Sequence, residues 1–270
     1  DCSWSRGLGD VYKRPGIDGI SLPLLVLSTF ITVLAIIYSL EHLPEPKSPK
    51  GFLALILVLE TGMNGTFVAL DLILFFVFFE IVLLPMYFMI GIWGDKTVRT
   101  VSGFKNQIET RLYASIKFFV FTLFGSAFML LGFLGLYYRG NKTFSIPELI
   151  ELGTSGAFTG TFATLVFAVL FLGFAVKVPM WPLHTWLPDA HTAAPTVGSV
   201  LLAAILLKLG SYGFVRIAIP ILPEQAKAWA PAIAILSAIG IIYGSLACLA
   251  QTDLKRLIAF SSVGLSLIHI

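Results

Sequence analysis

The sequence predicts an all-α membrane protein, a polytopic transmembrane helix bundle in which one helix is broken by prolines. Of the 270 residues, 57% are hydrophobic and only 12% are charged, whereas a water-soluble domain carries roughly 25% charged residues. Apolar runs long enough to cross a bilayer as helices, about 20 residues each, recur along the chain. These runs lack the alternation of a membrane β-barrel, and a helix satisfies its own backbone hydrogen bonds in lipid.

The same composition excludes several classes of protein, namely a soluble globular enzyme, a nucleic-acid binder and a disordered chain. The net charge is only +3, and the basic residues are scattered rather than clustered. The two cysteines, Cys2 and Cys248, lie near opposite ends of the chain, so we expect neither a disulfide framework nor an iron–sulfur cluster. The chain has no phosphate loop and no GxGxxG motif. We therefore predict that this chain holds no metal and no cofactor.

Seven complete apolar runs and the start of an eighth define the predicted helices. The runs cover residues 20–40, 51–70, 71–93, 111–138, 161–181, 195–220 and 229–250, and the eighth begins near residue 253. Polar or proline-rich connectors at 42–50, 94–110, 139–154 and 221–227 are predicted to be loops or turns. Tryptophans fall at the ends of runs, as interfacial aromatic residues do; they are Trp93, Trp181, Trp186 and Trp229.

Four ionisable side chains, Glu60, Glu80, Lys177 and Lys208, lie inside apolar runs. Each charge at the centre of a lone helix would cost about 2.5–3.5 kcal/mol. Such residues persist where they face the bundle interior, pair with one another or meet water. Two acids and two bases at this depth favour a proton or ion path. The alternative is static charge pairs that lock helices together, and Glu60 is open to simple hydrogen bonding within the bundle.

Lys177 has the most informative surroundings, because Pro179 and Pro182 follow it. Prolines remove backbone donors and clash with the preceding turn, so we expect the helix to bend or break just after the lysine. Broken helices at membrane depth mark ion sites in transporters, and a buried lysine exchanges a proton readily. The alternative is a proline-punctuated helix end with a snorkelling lysine.

Glu80 lies in a run of phenylalanines and aliphatic residues, and Pro85 is expected to kink its helix. Apolar neighbours disfavour an ionised carboxylate unless a cation pairs with it. We therefore interpret Glu80 and Lys177 as a switchable pair, in which a change at one partner releases the other. Lys208, in the middle of the sixth run, is the natural next position for a proton.

His184 and His191 lie in the segment 182–191, which we predict to be a short, rigid, polar loop. A histidine there could relay protons; the alternative is that these residues cap the helices at the interface. Asp189 lies between the two histidines. Composition leaves a metal site open, but nothing in the spacing requires one.

Four stretches carry a resemblance to a known family. FFEIVLLPMYFMIGIWG (78–94), KFFVFTLFGSAFMLLG (117–132), the 43 residues 174–216 and QTDLKRLIAFSSVG (251–264) resemble the antiporter-like membrane subunits of respiratory NADH:quinone oxidoreductase, or complex I. GIDGISLP (16–23) resembles the start of that family's third helix. In the family, a glutamate on the fifth helix, a lysine on the broken seventh and a lysine on the eighth form the proton pathway. These residues match Glu80, Lys177 and Lys208.

The resemblance implies a division of the chain, since members of the family have 14 helices in two inverted five-helix repeats. It implies a polar extramembrane segment at 1–19, a first transmembrane helix and loop at 20–50, the first antiporter-like repeat at 51–220 and the truncated start of the second repeat at 221–270. On this interpretation the chain is a piece of a longer parent. Residues 265–270 depart from the family pattern, which has a histidine after Gly264, so we assign no function to His269.

The function implied by the resemblance is proton translocation through buried Glu and Lys groups, coupled to electron transfer in other subunits of an enzyme complex. Those subunits would hold NAD, FMN, iron–sulfur clusters and quinone, and this chain would do no redox chemistry itself. Its partners would be other membrane subunits, including neighbouring antiporter-like chains, and the lipid bilayer. Its location would be the bacterial plasma membrane or, alternatively, the mitochondrial inner membrane.

Three alternatives remain open at this point. The first is a subunit of a multisubunit sodium/proton antiporter, which shares the fold and runs on an ion gradient. The second is a subunit of a membrane-bound hydrogenase or a ferredoxin-linked relative. The third is a structural scaffold in which the buried charges are static pairs.

Overall fold

The computed structural model describes residues 16–99 and 108–268, and helices dominate it. The helices are α1 (Ser21–Glu41), α2 (Pro49–Val68), α3 (Leu72–Ile81), α4 (Leu83–Trp93), α5 (Thr110–Arg139), α6 (Ile146–Thr154), α7 (Gly160–Lys177), α8 (Trp186–Ala193), α9 (Thr196–Leu201), α10 (Leu207–Gly213), α11 (Ile219–Ile221), α12 (Pro223–Leu249) and α13 (Leu254–Ile268). Two short strands, β1 (Val98–Arg99) and β2 (Ile108–Glu109), pair antiparallel in the connector between α4 and α5.

Within these residues, seven helical stretches are long and apolar enough to cross a membrane. They are α1, α2, α3 with α4, α5, α7, α9 through α11, and α12. The predicted bundle is therefore confirmed. Each complete run overlaps one observed span, although the fifth span ends earlier, at Lys177, and the seventh begins earlier, at Pro223. The stretch Thr196–Ile221 lies near the centre of the bundle. In its most apolar part 61% of the residues are buried, whereas in α1 and in α12 only 22% are.

Two of the connectors predicted as loops or turns are in fact partly helical. The connector 139–154 contains α6, an amphipathic helix with a proline in its first turn that buries Ile146 and Leu149. The predicted turn at 221–227 is wrong, since α12 begins at Pro223 and only Leu222 separates it from α11. Proline at the first helical position carries no penalty, because that position has no intrahelical donor to lose.

The third span is interrupted at Val82, between α3 and α4. Pro85 has no backbone N–H to offer the carbonyl of Ile81, so the turn that precedes the proline opens. The predicted distortion at Pro85 is thus confirmed, and it falls one turn earlier than the proline itself. Asp71 fixes the start of α3, because its carboxylate accepts the backbone N–H groups of Ile73 and Leu74, each at 2.9 Å.

Both ends of the bundle are tied by polar contacts. At one end the Asp18 carboxylate accepts the N–H groups of Ile20 at 3.0 Å and Ser21 at 2.9 Å, and it pairs with the Arg216 guanidinium. Burial alone would raise the pKa of Asp18, but these hydrogen bonds and Arg216 lower it overall. At the other end the Trp93 indole donates to the carbonyl of Pro46 at 2.8 Å.

Outward-facing surfaces remain apolar along the spans. On α1, for example, Val26 is 60% exposed, Phe30 57% and Ile37 57%. A water-soluble protein would not expose such a stripe on one helix. Seven spans with apolar outer faces indicate that the chain is an integral membrane protein.

The order of spans predicts on which side each connector lies. In the full-length protein, with Cys2 and Cys248 replaced by serine, we expect Asn141→Cys and Glu224→Cys to react with a membrane-impermeant thiol reagent from the same side. Lys96→Cys and Asp253→Cys should react only from the opposite side, because an odd number of spans separates the two pairs. Labelling of Asn141→Cys and Lys96→Cys from one and the same side would contradict this topology.

Candidate functional site

The helix that carries Lys177 ends at that residue. The last hydrogen bond of α7 runs from the N–H of Val178 to the carbonyl of Phe174, at 2.9 Å. Proline disfavours helical conformation in the residue before it, and Pro179 follows Val178 directly. The break expected after Lys177 is therefore present.

The break frees carbonyl groups, and side chains from elsewhere satisfy them. The Trp186 indole donates to the carbonyl of Val176 at 2.9 Å, and the Ser266 hydroxyl donates to that of Val178 at 3.1 Å. An unsatisfied polar group in the apolar interior would cost about 1–3 kcal/mol. Trp186 is only 1% exposed, so its assignment as an interfacial aromatic residue is wrong. Its indole is a buried hydrogen-bond donor that satisfies a carbonyl group freed by the break.

The Lys177 amine lies inside the bundle rather than at its surface. The residue is 3% exposed, and its Nζ atom has no hydrogen-bond partner within the described part of the chain. The amine stands 4.3 Å from the centre of the Phe79 ring. A cation over an aromatic face is stabilised by the ring quadrupole. Phe79 in turn stacks on Phe75 and contacts Phe174.

Glu80 lies on α3 next to Phe79, at the end of the helix just before the interruption at Val82. Its carboxylate interacts electrostatically with the Lys177 amine, and the Ser126 hydroxyl of α5 also interacts with it. Glu80 and Lys177 thus lie within electrostatic reach of each other, on helices that both end at an interruption. Their charged groups act on each other through space, without a direct hydrogen bond to the Lys177 amine.

Lys208 lies on α10, between two π-helical turns that the sequence did not indicate, Leu202–Leu206 and Phe214–Ala218. Its amine donates to the carbonyl of Ala203 at 2.8 Å, within the first of these turns. A π-helical turn widens the helix and occurs frequently at functional sites. Lys208 is partly buried.

The helices that carry the two lysines touch at a glycine. A Cβ atom on Gly210 would lie 2.7 Å from Cγ2 of Val178, 3.1 Å from Cβ of Lys177 and 3.1 Å from the carbonyl oxygen of Phe174. Only a residue without a side chain allows α10 to approach the break this closely. Lys177 and Lys208 are thereby held on neighbouring, directly packed backbones.

A largely apolar cavity of about 500 Å³ adjoins Lys208. It lies between α1, α7, the sixth span and α12, and Tyr212 and Ser211 provide polar groups in its wall. The Tyr212 hydroxyl donates to the carbonyl of Phe67 at 2.8 Å, which ties the sixth span to α2. Lys208 therefore has open space beside it, whereas Lys177 is enclosed.

Glu60 stands apart from this group. It lies partly buried on α2, and its carboxylate interacts with the side chain of Asn64 one turn later. The Asn64 Oδ1 atom is buried and has no hydrogen-bond partner in the part of the chain that the structure describes. This surrounding fits hydrogen bonding within the bundle, which was the simpler interpretation of Glu60.

His184 and His191 are both buried, each 4% exposed. The segment predicted as a loop is partly helical, because α8 begins at Trp186. The His184 ring meets the Tyr243 ring edge-on at 4.9 Å. Burial and, to a smaller degree, the Lys117 cation lower the pKa of His184, while burial and then Lys255 lower that of His191.

Sequence reasoning missed several residues around these groups. Phe79, beneath the Lys177 amine, stood in a run of phenylalanines with nothing to distinguish it. Lys117 and Asp189 form an ion pair at 2.7 Å, although 72 residues separate them along the chain. No three His, Cys, Asp or Glu side chains in residues 16–99 and 108–268 lie close enough together to hold a metal ion.

Together, the fold and the charged groups around the break define a multi-pass integral membrane protein whose ionisable residues lie at membrane depth beside interrupted helices. A family model for the transmembrane part of NADH:quinone oxidoreductase and Mrp antiporter proteins matches residues 69–266. A second model, for the amino terminus of NADH-ubiquinone oxidoreductase chain 4, matches residues 8–66. The chain belongs to the family of NADH:quinone oxidoreductase/Mrp antiporter membrane proteins.

Similar proteins include NADH-quinone oxidoreductase subunit M of Rhodobacter capsulatus, which is 45% identical over 272 residues, 97% of this chain and 49% of the relative. NADH-ubiquinone oxidoreductase chain 4 of Mycosarcoma maydis is 42% identical over 92% of this chain and 48% of its own length. The chain therefore spans about half the length of the curated relatives it matches.

Solved structures share the fold. A chain of respiratory complex I from Thermus thermophilus with bound NADH is 30% identical with a TM-score of 0.78, over 94% of this chain and 50% of that chain. A chain of the Mrp complex from Dietzia is 21% identical with a TM-score of 0.78, over 93% of this chain and 44% of that one. The Mrp similarity concerns the fold alone.

Gly210→Ala should destabilise the packing between α7 and α10. The new methyl group would lie 2.7 Å from Cγ2 of Val178 and 3.1 Å from the carbonyl oxygen of Phe174, so α7 or α10 must shift, at a cost of about 1–3 kcal/mol. The thermal unfolding midpoint of the full-length protein in detergent is therefore expected to fall. Gly19→Ala is the matched control, because nothing lies within 4 Å of its new Cβ. Equal midpoints for the two variants would contradict the close contact.

Proposed function

We propose that the protein to which this chain belongs is a proton-translocating membrane subunit of NADH:quinone oxidoreductase. The observation that supports this most is the buried Lys177 amine, which lies at a helix break, over Phe79 and within electrostatic reach of Glu80. The relatives named NADH-quinone oxidoreductase subunit M and chain 4 match nearly the whole chain. By contrast, the similarity to the Mrp complex supports the antiporter alternative only through the fold.

In the proposed mechanism Glu80 and Lys177 act as a coupled pair. A negative carboxylate near Lys177 favours the protonated amine, whereas a change of charge at Glu80 weakens that preference. The ring of Phe79 stabilises the cation only moderately, so the proton can both arrive and leave. Electron transfer elsewhere in the complex would supply the change at Glu80.

Lys208 is the proposed acceptor of the proton that leaves Lys177. The contact at Gly210 holds the two helices together, and the cavity beside Lys208 gives its amine room to turn. The π-helical turn before Lys208 supplies the Ala203 carbonyl, which accepts a hydrogen bond from the Lys208 amine. This bond holds the amine in place until the amine passes its proton on. His184 and His191 are proposed to relay protons between water and the break, and Glu60 has a secondary role within α2.

The proposed partners are the other membrane subunits of the complex, including neighbouring antiporter-like chains, and the lipid bilayer. NAD, FMN, iron–sulfur clusters and quinone would be held by those other subunits, where the redox chemistry takes place. We propose a bacterial plasma membrane as the location, with the mitochondrial inner membrane as the alternative, since relatives come from both kinds of source.

Glu80→Gln and Lys177→Ala, each made in the full-length subunit of the assembled complex, should sharply lower the number of protons moved per NADH oxidised. Glu80→Gln removes the charge that acts on the amine, and Lys177→Ala removes the amine itself. The measurement is NADH-driven proton uptake in proteoliposomes, together with the rate of NADH oxidation.

The matched controls are Glu148→Gln and Lys142→Gln, which remove one acid and one base from the exposed surface near α6. Both controls should keep the native ratio. An unchanged ratio in Glu80→Gln and Lys177→Ala would refute the proposed function of the pair.

A further inference from the structure

Three charged residues from three different helices meet at the side of the bundle where α8 lies. The Asp189 carboxylate of α8 receives a hydrogen bond from the Lys117 amine of α5 at 2.7 Å, through Oδ2. Its other oxygen, Oδ1, lies 3.8 Å from Nη2 of Arg256 at the start of α13. The Asp189 carboxylate thus pairs with two cations, closely with Lys117 and more loosely with Arg256.

The helix that carries Asp189 is held by α13 at its other end as well. Lys255, next to Arg256, donates from its amine to the carbonyl of Ala194, directly after the last residue of α8. Cations favour the negative end of a helix. The position of α8 therefore depends on two neighbouring basic residues of α13 and on one lysine of α5.

Lys117 is at the same time a neighbour of His184. The His184 ring meets the Tyr243 ring of α12 edge-on, and the Lys117 cation of α5 acts on the imidazole. Lys117 is in turn paired with Asp189 of α8, which also contacts Arg256 of α13. His191, further along α8, faces Lys255 instead. Lys117 is therefore the cation that acts on His184, and this cation is itself paired with the Asp189 carboxylate.

The segment that carries His184 is connected to the Lys177 break through the backbone. Trp186 follows His184 by two residues, and its indole bonds the carbonyl of Val176, which precedes Lys177. A shift of α8 would therefore move or break the hydrogen bond to the Val176 carbonyl at the break. This connection supports a role for the ion pairs in placing His184 relative to Lys177.

We propose that Asp189, held between Lys117 and Arg256, is a positioning residue that sets the charge at His184 and thereby controls proton uptake toward the Lys177 break. While Asp189 pairs with Lys117, the lysine cation is neutralised and His184 accepts a proton. When the carboxylate turns to Arg256, the bare cation of Lys117 repels a proton from His184. The only bonds that change are those of the transferred proton: the N–H bond forms on the His184 imidazole as the O–H bond of the donating hydronium or water breaks. The inference rests on the proposed function.

The test uses the intact complex in proteoliposomes and measures the pH dependence of NADH-driven proton uptake. The limb that depends on His184 is identified as the one that disappears in His184→Gln. Lys117→Gln removes the cation, so this limb should move to higher pH by on the order of half a unit. Asp189→Asn leaves the cation bare, so the limb should move in the opposite direction by a similar amount. Asp189→Glu should restore the native profile.

The matched control is Glu109→Gln, which breaks another ion pair, with Arg111 at 2.7 Å, beside the start of α5. It should leave the profile in place. Shifts of opposite sign support the proposal, while absent shifts, or shifts of the same sign, overturn it. If native uptake ratios persist in Glu80→Gln and Lys177→Ala, the proposed function fails; if those variants lose pumping while Asp189→Asn keeps the native profile, only this inference fails.

Discussion

The structure depends on one constraint, which is that backbone groups freed inside an apolar bundle must find partners. Pro179 ends α7 at Lys177, and the open carbonyls of Val176 and Val178 accept hydrogen bonds from Trp186 and Ser266. Because each unsatisfied group would cost about 1–3 kcal/mol, the break can exist only where α8 and α13 supply these donors. The hydrogen bonds at the break and the packing of α7, α8 and α13 around it are therefore consequences of the same requirement.

No single partner holds the Lys177 amine firmly, and this is why we propose that it exchanges a proton. A close ion pair would keep the amine protonated, whereas an amine surrounded only by apolar groups would rarely be protonated. Phe79 and Glu80 provide an intermediate degree of stabilisation, the former by its ring and the latter through space. Lys208 differs, since it has a carbonyl partner and a cavity of about 500 Å³ beside it. The two lysines thus differ in their surroundings, although both lie within apolar runs of the sequence.

Hydropathy was sufficient to predict the seven spans, because a run of apolar residues about 20 long has no other stable solution in lipid. The prolines were sufficient to predict the break after Lys177 and the distortion before Pro85, since their effect is local. The helices α6 and α8 were missed because short amphipathic segments rich in proline and polar residues read as loops. The π-helical turns around Lys208 leave no mark on composition, and the pairing of Lys117 with Asp189 depends on chain segments 72 residues apart. The roles assigned to Glu80, Lys177 and Lys208 stay predictions, although the structure places the first two within electrostatic reach.

The central claim is that Glu80 and Lys177 sense each other's protonation state. Infrared difference spectroscopy of the intact complex, recorded between its resting state and turnover with NADH, tests it most directly through the carbonyl band of protonated carboxyl groups. The account predicts one band that is lost in Glu80→Gln and moves in frequency in Lys177→Ala. A carboxyl spectrum that is identical in the native complex and in both variants would contradict it.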